Sequence, residues 1–355
     1  MPDHDANRLF DGKMGVAILE TYTTLKNELE QGLSLYFNAA SDVLKGTGIQ
    51  LRNTNDNGFS IEKNFFTAIF LYSYFKAGII PEHRIVYTAV NQCLRGMVTG
   101  CDNILDNEYK KTLDTDLPEN SHKFRSIIDI MVSDRAVLAI LDKGIGSKLS
   151  REKLIKSSFE TLRALSLSGV EEAEEEDGQI NMMPPDFILS AVHHFKTGLL
   201  FVSPWVVPNL LEDLDRNRSK ALEQGLYNIG MGCQVLDDMA DIAPDLSMNR
   251  YNYIASLAFY GENPAEKQLL NRLVKRDMKT LDTSEYLAAR FPEATAMAWQ
   301  KANDLLRKGL EVLFSPDHQF MIDAAIQFLI QRIGVSHLVP AAVPEQAVLA
   351  GSNIA

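Results

Sequence analysis

The chain has 355 residues, of which 46% are apolar and 23% charged, and its formal net charge is −12. This composition supports a packed core and excludes global disorder, and the negative charge argues against nucleic acid or anionic lipid as a partner. The cysteines at 93, 101 and 233 form no paired motif, and the first residues contain no apolar signal segment. Both features lead us to expect a cytoplasmic protein.

Apolar residues recur at helical spacing along almost the whole chain, whereas alternating strand patterns are scarce. Helices are predicted over 14–45, 60–78, 82–107, 123–142, 149–168, 184–204, 218–243, 284–313 and 317–337, with shorter pieces between 250 and 275. The most apolar stretch, 199–211, is shorter than the about 20 residues that span a membrane. Since no repeat or shift in composition divides the sequence, we predict one all-α domain over 1–338 and a flexible tail over 339–355.

The first group of chemically suggestive residues stands at the end of the helix predicted over 82–107. Its sequence, DNILDNE, places Asp102 and Asp106 four residues apart, so both carboxylates project from the same helical face. Like charges at this spacing repel each other, and a purely structural helix gains nothing from them. On its own, the group is more typical of a solvated helix face than of a functional site.

A second acidic group with the same spacing occurs far along the chain, in the sequence QVLDDMAD. Asp237 and Asp241 share a face of a helix that is otherwise apolar and rich in glycine. Two such rows of acids facing each other would form a strongly negative cavity that hard cations neutralise. Mg²⁺ is the natural candidate, because it takes carboxylate oxygens and bridges to phosphates. The two groups together favour a metal–phosphate site.

Basic residues near both acidic groups supply the charge that a phosphate requires. Lys196 lies in the apolar run HHFKTGLLF, where a lysine either extends to the surface or pairs with a phosphate. Lys110 and Lys111 directly follow the first acidic group. This pair is either ordinary surface charge or a second phosphate clamp.

The motifs resemble those of the trans-isoprenyl diphosphate synthase (polyprenyl synthetase) family of class I isoprenoid synthases. DNILDNEYKKTLDTDLP is similar to the first aspartate-rich motif, KTGLLF to the KTA-type motif, and CQVLDDMADIAPD to the second aspartate-rich motif. Their order and spacing agree with the family, over residues of about 40 to 260. The resemblance implies a large helical bundle around a central apolar pocket, and a homodimer.

The resemblance also implies a site in which Mg²⁺, as three ions, holds an allylic prenyl diphosphate. It assigns the metal ligands to four acids: Asp102, Asp106, Asp237 and Asp241. It assigns contacts with the diphosphate to the three lysines described above, at 110, 111 and 196. It places Gln234 in the pocket beside the reacting carbons. We therefore expect Lys196 and Gln234 to be the catalytic residues. Metals and lysines stabilise the departing pyrophosphate, so ionisation needs no acid or base side chain.

Three positions depart from the family pattern. Asn103 replaces the second aspartate of the first motif, and Ile49 replaces the lysine of the GKxxR motif that binds isopentenyl diphosphate. Arg52 retains the arginine of that motif, and Arg95 stands where histidine or glutamine is expected. We expect the two arginines to contact a diphosphate, with isopentenyl diphosphate as a possible second substrate. Because the lysine of this motif is missing, we expect isopentenyl diphosphate to be bound weakly.

The residues just before the first acidic group bear on the length of the prenyl chain. Met97 and Val98 occupy the positions at which bulky aromatic residues would close the pocket in this family. Neither side chain is aromatic, so the resemblance favours substrates or products of about 15 to 20 carbons or more.

Three functions remain open on the sequence alone. The first is a prenyltransferase resembling isoprenyl diphosphate synthases, which the QVLDDMAD and KTG motifs favour. The second is a terpene cyclase on the same scaffold, which Ile49 favours and the absence of an NSE-type motif opposes. The third is a non-catalytic partner subunit, for which Asn103 and Ile49 are characteristic losses, although buried acids without a metal would be costly.

Overall fold

A computed structural model of the chain describes residues 13–52, 63–145, 151–176, 181–275, 287–314 and 318–339. This part is almost entirely helical, and its isolated β-bridge joins Leu51 to Thr115. The all-α prediction is therefore confirmed. None of the helices described is long and apolar enough to cross a membrane. The predicted tail lies outside the described residues beyond position 339.

The α-helices are α1 (Lys13–Leu44), α2 (Phe65–Ala77), α3 (Pro81–Leu105), α4 (His122–Ile145), α5 (Arg151–Glu176), α6 (Pro185–Phe187), α7 (Leu200–Val202), α8 (Val206–Leu211), α9 (Arg216–Met248), α10 (Tyr253–Tyr260), α11 (Pro264–Lys275), α12 (Pro292–Leu313) and α13 (Gln319–Ile333). A π-helix, Ile188–Leu199, follows α6, and short 3₁₀ turns occupy Ser203–Trp205 and Ala288–Arg290.

Local chemistry accounts for several helix ends. Pro81 opens α3, since proline suits the first helical position, and Gly78 closes α2 with a φ of 82° that favours glycine. The continuous helix predicted over 284–313 is corrected by a break at Phe291, whose φ of −120° and ψ of 66° are imposed by the following Pro292. The ordinary helix predicted over 184–204 is likewise corrected, because its centre is the π-helix.

The contacts between Cα atoms divide the chain into two units. The first unit comprises Met1–Leu162 and Pro204–Asp215, and the second comprises Arg163–Ser203 and Arg216–Ala355. The single domain predicted from the sequence stays a prediction.

In the first unit, α3 packs against α1, α2 and α4. Gly96 lets α3 approach α4 closely, because a Cβ atom at this position would lie 2.1 Å from the Ser133 hydroxyl. A buried ion pair joins α1 to α3, with the Arg84 Nε donating to a Glu28 carboxylate oxygen at 2.7 Å. These contacts fix the position of the helix that carries the first acidic group.

In the second unit, α9 is the central element and packs against α12, the π-helix and α10. The α9–α12 contact is closest at two glycines, since a Cβ atom on Gly309 would lie 2.5 Å from the backbone oxygen of Gly225. The π-helix contact is similarly close at Gly198, where a Cβ atom would meet the Tyr227 ring at 2.4 Å. Small residues thus hold the helix of the second acidic group against its neighbours.

Candidate functional site

One face of α3 is open and carries most of the residues predicted in the first group. Between positions 84 and 100 of this otherwise buried helix, only Arg95 is exposed. Val98 and Asp102 are half-buried and Asp106 is exposed, and spacings of three and four residues place all of them along the same stripe as Arg95. Met97 is buried, with 6% of its surface exposed, and points away from this stripe.

Asn103 is a buried structural residue. Its side-chain oxygen accepts a hydrogen bond from the Lys110 amide at 2.8 Å, and its side-chain nitrogen donates to the Lys110 carbonyl at 3.0 Å. The same nitrogen donates to the Ser126 hydroxyl at 3.3 Å. A carboxylate in this place would have no hydrogen atom to donate. The departure from the family motif therefore serves the loop that follows the helix.

Lys110 and Lys111 lie in the connection between α3 and α4, residues 106–121, which we call the lysine loop. Their ammonium groups are about half exposed or more and contact Glu108 at 2.5 Å and Asp114 at 3.2 Å, respectively. Both ion pairs are exposed enough for a phosphate to compete with the carboxylates.

The segment that ends in Arg52 is fixed to the lysine loop. The Arg52 amide donates to the Asp114 carbonyl at 2.7 Å, and the Gln50 amide donates to the Asp116 carboxylate at 2.9 Å. The Arg52 guanidinium is 45% exposed and lies 3.5 Å from Glu119. The first unit thus brings Arg52 to the same loop as the two lysines, while Ile49 is half-buried in the preceding turn.

In the second unit, the π-helix and α9 form a chain of hydrogen bonds that ends at the second acidic group. The Thr197 hydroxyl donates to the Gln234 side-chain oxygen, and the Gln234 nitrogen donates to Asp237 at 3.3 Å and to Asp238 at 3.2 Å. Asp237 and Asp241 are exposed one turn apart on α9. Gln234 is therefore placed to orient the Asp237 carboxylate.

Asp238 is buried and has a structural role that the sequence analysis did not single out. Its carboxylate accepts a hydrogen bond from the Tyr253 amide at 2.6 Å and pairs with the His193 Nε2 at 3.0 Å. Asn252 donates to the Asp238 carbonyl and to the Asp245 carboxylate, both at 2.8 Å. The sequence signal was the pair Asp237-Asp238, of which only the exposed Asp237 was predicted to have a role.

Several acidic side chains lie close together in the second unit. Burial and the neighbouring Asp238 raise the pKa of Asp245, while the Asn252 amide and the Lys196 ammonium oppose this shift. Lys196 is half-buried at the C-terminal end of the π-helix, a type of helix that is often found at functional sites. The unit therefore has an excess of acids that a cation would relieve.

The paired acids of the two motifs suit Mg²⁺, which binds through one or two carboxylates, retains several waters and shares phosphate oxygens. Each unit supplies one such pair: Asp102 with Asp106 on α3, and Asp237 with Asp241 on α9. Among the residues that the structure describes, no three histidine, cysteine, aspartate or glutamate side chains form a metal-binding cluster. The acid pairs fit a metal that a diphosphate helps to hold, and do not form a complete protein cage.

Comparison with known proteins identifies the fold. No protein-family model matches the chain, and no curated protein matches it in sequence. A polyprenyl synthetase from Streptomyces coelicolor A3(2) aligns over 88% of this chain and 99% of its own, with a TM-score of 0.57 and 16% identity. A geranylgeranyl pyrophosphate synthase from Corynebacterium glutamicum aligns over 90% and 95%, with a TM-score of 0.60 and 16% identity.

An archaeal geranylgeranyl pyrophosphate synthetase, from Geoglobus acetivorans, is similar over 86% of this chain and 96% of its own, with a TM-score of 0.54 and 18% identity. The chain thus has the fold of these synthetases along nearly their whole length. The resemblance deduced from the sequence motifs is confirmed at the level of the fold.

Proposed function

We propose that this protein is a Mg²⁺-dependent prenyltransferase that ionises an allylic prenyl diphosphate. The observation that carries the proposal is the placement of the acidic motifs. On the helices of a polyprenyl synthetase fold, both DNILD and QVLDDMAD carry a pair of carboxylates one helical turn apart, exposed except for the half-buried Asp102. The similar proteins are a polyprenyl synthetase and a geranylgeranyl pyrophosphate synthase, which supports a prenyl diphosphate as the substrate class here.

The residues of the chain contribute binding and orientation. Lys196 supplies positive charge for the diphosphate in the second unit, and the lysine loop supplies it in the first. Gln234, held by Thr197, orients Asp237. The acid pair of each unit would hold Mg²⁺, which would supply Lewis-acid stabilisation of a departing pyrophosphate. Nothing in this scheme requires a side chain to transfer a proton.

A product assay with purified protein tests the proposal. The protein is incubated with Mg²⁺ and farnesyl or geranylgeranyl diphosphate, with and without isopentenyl diphosphate. Longer diphosphates that form only with isopentenyl diphosphate would establish a prenyltransferase that elongates chains. Absence of any diphosphate release under all four conditions would contradict the proposal and favour the non-catalytic subunit.

The second candidate is a terpene cyclase, and one observation favours it. Ile49 is half-buried and apolar at the position where the resemblance expects a lysine for isopentenyl diphosphate. Hydrocarbons or alcohols formed from the allylic substrate alone would identify this activity. The variant Ile49→Lys separates the two candidates further, because it is expected to increase use of isopentenyl diphosphate only in an elongating enzyme.

The metal assignment has its own test. Asp237→Asn keeps the size of the side chain and removes its charge, so we expect diphosphate release to fall about a hundredfold. Asp304→Asn, at an exposed position on α12, is the matched control and should leave the rate unchanged. Equal rates in the two variants would remove Asp237 from the metal site.

We further propose that the protein is a homodimer formed through α4 and the first half of α5. Large apolar side chains, each between 38% and 66% exposed, lie along one face of each of these two helices: Phe124, Ile127, Met131, Leu138, Ile155, Phe159 and Leu162. The buried face of α5 carries Leu154 together with the hydroxyls of Ser157 and Thr161. Large apolar side chains on the exposed face are typical of a helix that packs against a second protein.

A second copy of the chain suits this surface. An apolar stripe is complementary to itself across a two-fold axis. Asp134 and Arg135 stand beside it with opposite charges, so a two-fold related copy can pair each with its counterpart. We therefore assign the stripe to an isologous dimer interface.

A further inference from the structure

Two buried ionisable residues of α4 direct their hydrogen bonds to the lysine loop. Asp129 is 1% exposed, and its carboxylate accepts a hydrogen bond from the Thr112 hydroxyl at 2.6 Å. The backbone amides of Thr112 and Leu113 donate to the same carboxylate. Asp129 thus holds the loop immediately after the two lysines.

Arg125, which is 2% exposed, holds the next part of the loop. Its Nε donates to the Pro118 carbonyl at 3.0 Å, and its Nη2 donates to the carbonyls of Leu117 and Thr115. Its guanidinium also lies 6.0 Å from the centre of the Tyr109 ring. Together with Asn103, which binds both backbone groups of Lys110, these side chains contact the loop before, at and after its lysines.

Stability alone does not explain this arrangement. Burying an ionised carboxylate and a guanidinium costs free energy, and apolar residues of similar size often stabilise a fold as well or better. The hydrogen bonds of Arg125 and Asp129 described above all go to one loop, whose exposed residues include Lys110 and Lys111. The buried charges therefore serve to fix the shape of that loop.

We propose that Arg125 and Asp129 are positioning residues, which fix the lysine loop in the shape that presents Lys110 and Lys111 to a diphosphate. This inference rests on the proposed function, in which the lysines contact the diphosphate. A loop held in its binding shape before the ligand arrives loses less conformational entropy on binding. The affinity for a diphosphate then depends on side chains that do not touch it.

The test uses the full chain and two mild variants. Thr112→Val removes the hydroxyl bonded to Asp129, and Arg125→Lys keeps the charge but loses the planar fork. Amide hydrogen exchange of residues 107–118 is measured without ligand, and the Kd for inorganic pyrophosphate with Mg²⁺ is measured by calorimetry. We expect faster exchange in the loop and pyrophosphate binding about five- to tenfold weaker in each variant.

Glu28→Gln provides the matched control. It disrupts the buried ion pair with Arg84 in the same unit and does not touch the loop. We expect it to lower global stability while loop exchange and the pyrophosphate Kd remain as in the original protein. If it weakens pyrophosphate binding as much as Arg125→Lys, the effect is one of stability and the inference is overturned.

A double-mutant cycle separates positioning from an independent structural role. Replacing both Lys110 and Lys111 by alanine should weaken pyrophosphate binding in the original protein and weaken it much less in Arg125→Lys. Additive losses would overturn the positioning role while leaving the lysines as phosphate ligands. A lysine variant with an unchanged Kd would show instead that the proposed phosphate contact is wrong, and this inference with it. Faster loop exchange with an unchanged Kd in Arg125→Lys also overturns it.

Discussion

At the scale of single residues, Asn103 shows how one atom separates an amide from an acid. Both ends of its side chain are used, the oxygen by the Lys110 amide and the nitrogen by the Lys110 carbonyl and Ser126. Asn103→Asp would restore the family motif and place a carboxylate against a buried carbonyl. We expect a loss of about 1–3 kcal/mol in the free energy of unfolding, measured by urea denaturation.

The control for this prediction is Asn217→Asp, an exposed position in the first turn of α9. An acid near a helix N-terminus is neutral or slightly stabilising. If Asn103→Asp has the same free energy of unfolding as this control, the hydrogen bonds of the Asn103 amide do not contribute to stability.

Asp129 predicts a dependence of stability on pH. Burial raises its pKa from the ordinary 3.8 to about 6, against hydrogen bonds from Thr112 and Leu113 and the charge of Arg125. Because the folded state binds this proton more tightly than the unfolded chain, the contribution of Asp129 to stability is full below pH 4 and is lost as the pH rises towards 6. The change amounts to about 2–3 kcal/mol.

Urea denaturation at intervals between pH 4 and 7 measures this dependence. In Asp129→Asn, the contribution of this residue to the slope should disappear, since the amide does not titrate. The same slope in both proteins would show that burial does not perturb this carboxyl group.

At the scale of elements, the helices could be predicted from the sequence to within a few residues at many of their ends. Apolar periodicity locates a helix wherever one face is buried, as it does for α1, α3 and α9. The π-helix Ile188–Leu199 could not be predicted in this way, because over twelve residues its apolar pattern resembles that of an ordinary helix. Its geometry depends on contacts with α9 that are remote in sequence.

The same limit applies to the candidate site. The paired acids at 102, 106, 237 and 241 follow from spacing, which places charges one turn apart on one face. The hydrogen bonds that orient them do not follow, because His193 and Asp238 are 45 positions apart and meet only in the folded chain. The lysine loop was recognised by its charge, but not the buried residues of α4 that hold it.

The close contact of α9 with α12 leads to a prediction for the helix pair. Gly309→Ala would place a methyl group 2.5 Å from the Gly225 carbonyl oxygen, and backbone atoms cannot rotate away. We expect the two helices to separate slightly and the free energy of unfolding to fall by about 1–3 kcal/mol.

Gly169→Ala on α5 is the matched control, since nothing lies within 4 Å of a Cβ atom at that position. It should stabilise the helix by up to about 1 kcal/mol through helix propensity. Thermal unfolding of both variants gives the comparison. Equal midpoints would mean that the α9–α12 contact tolerates an added methyl group.

At the scale of the whole molecule, the apolar stripe of α4 and α5 predicts how the protein assembles. Phe159→Asp would place a charge at its most exposed side chain, and the desolvation of that charge in a dimer interface is expected to weaken dimerisation about a hundredfold or more. Sedimentation equilibrium measures the change. Phe320→Asp, at an exposed position on α13, should leave assembly unaltered. If both variants are monomeric, or if both are dimeric, the interface lies elsewhere.

The stripe also bears on the life of the chain before assembly. A newly synthesised copy displays seven large apolar side chains on two helices until it meets a second copy. That meeting is a bimolecular event, and its rate falls as the concentration of the chain falls. During this interval the exposed surface is open to chaperones and to non-specific aggregation. Yield on expression should therefore rise with the supply of chaperones.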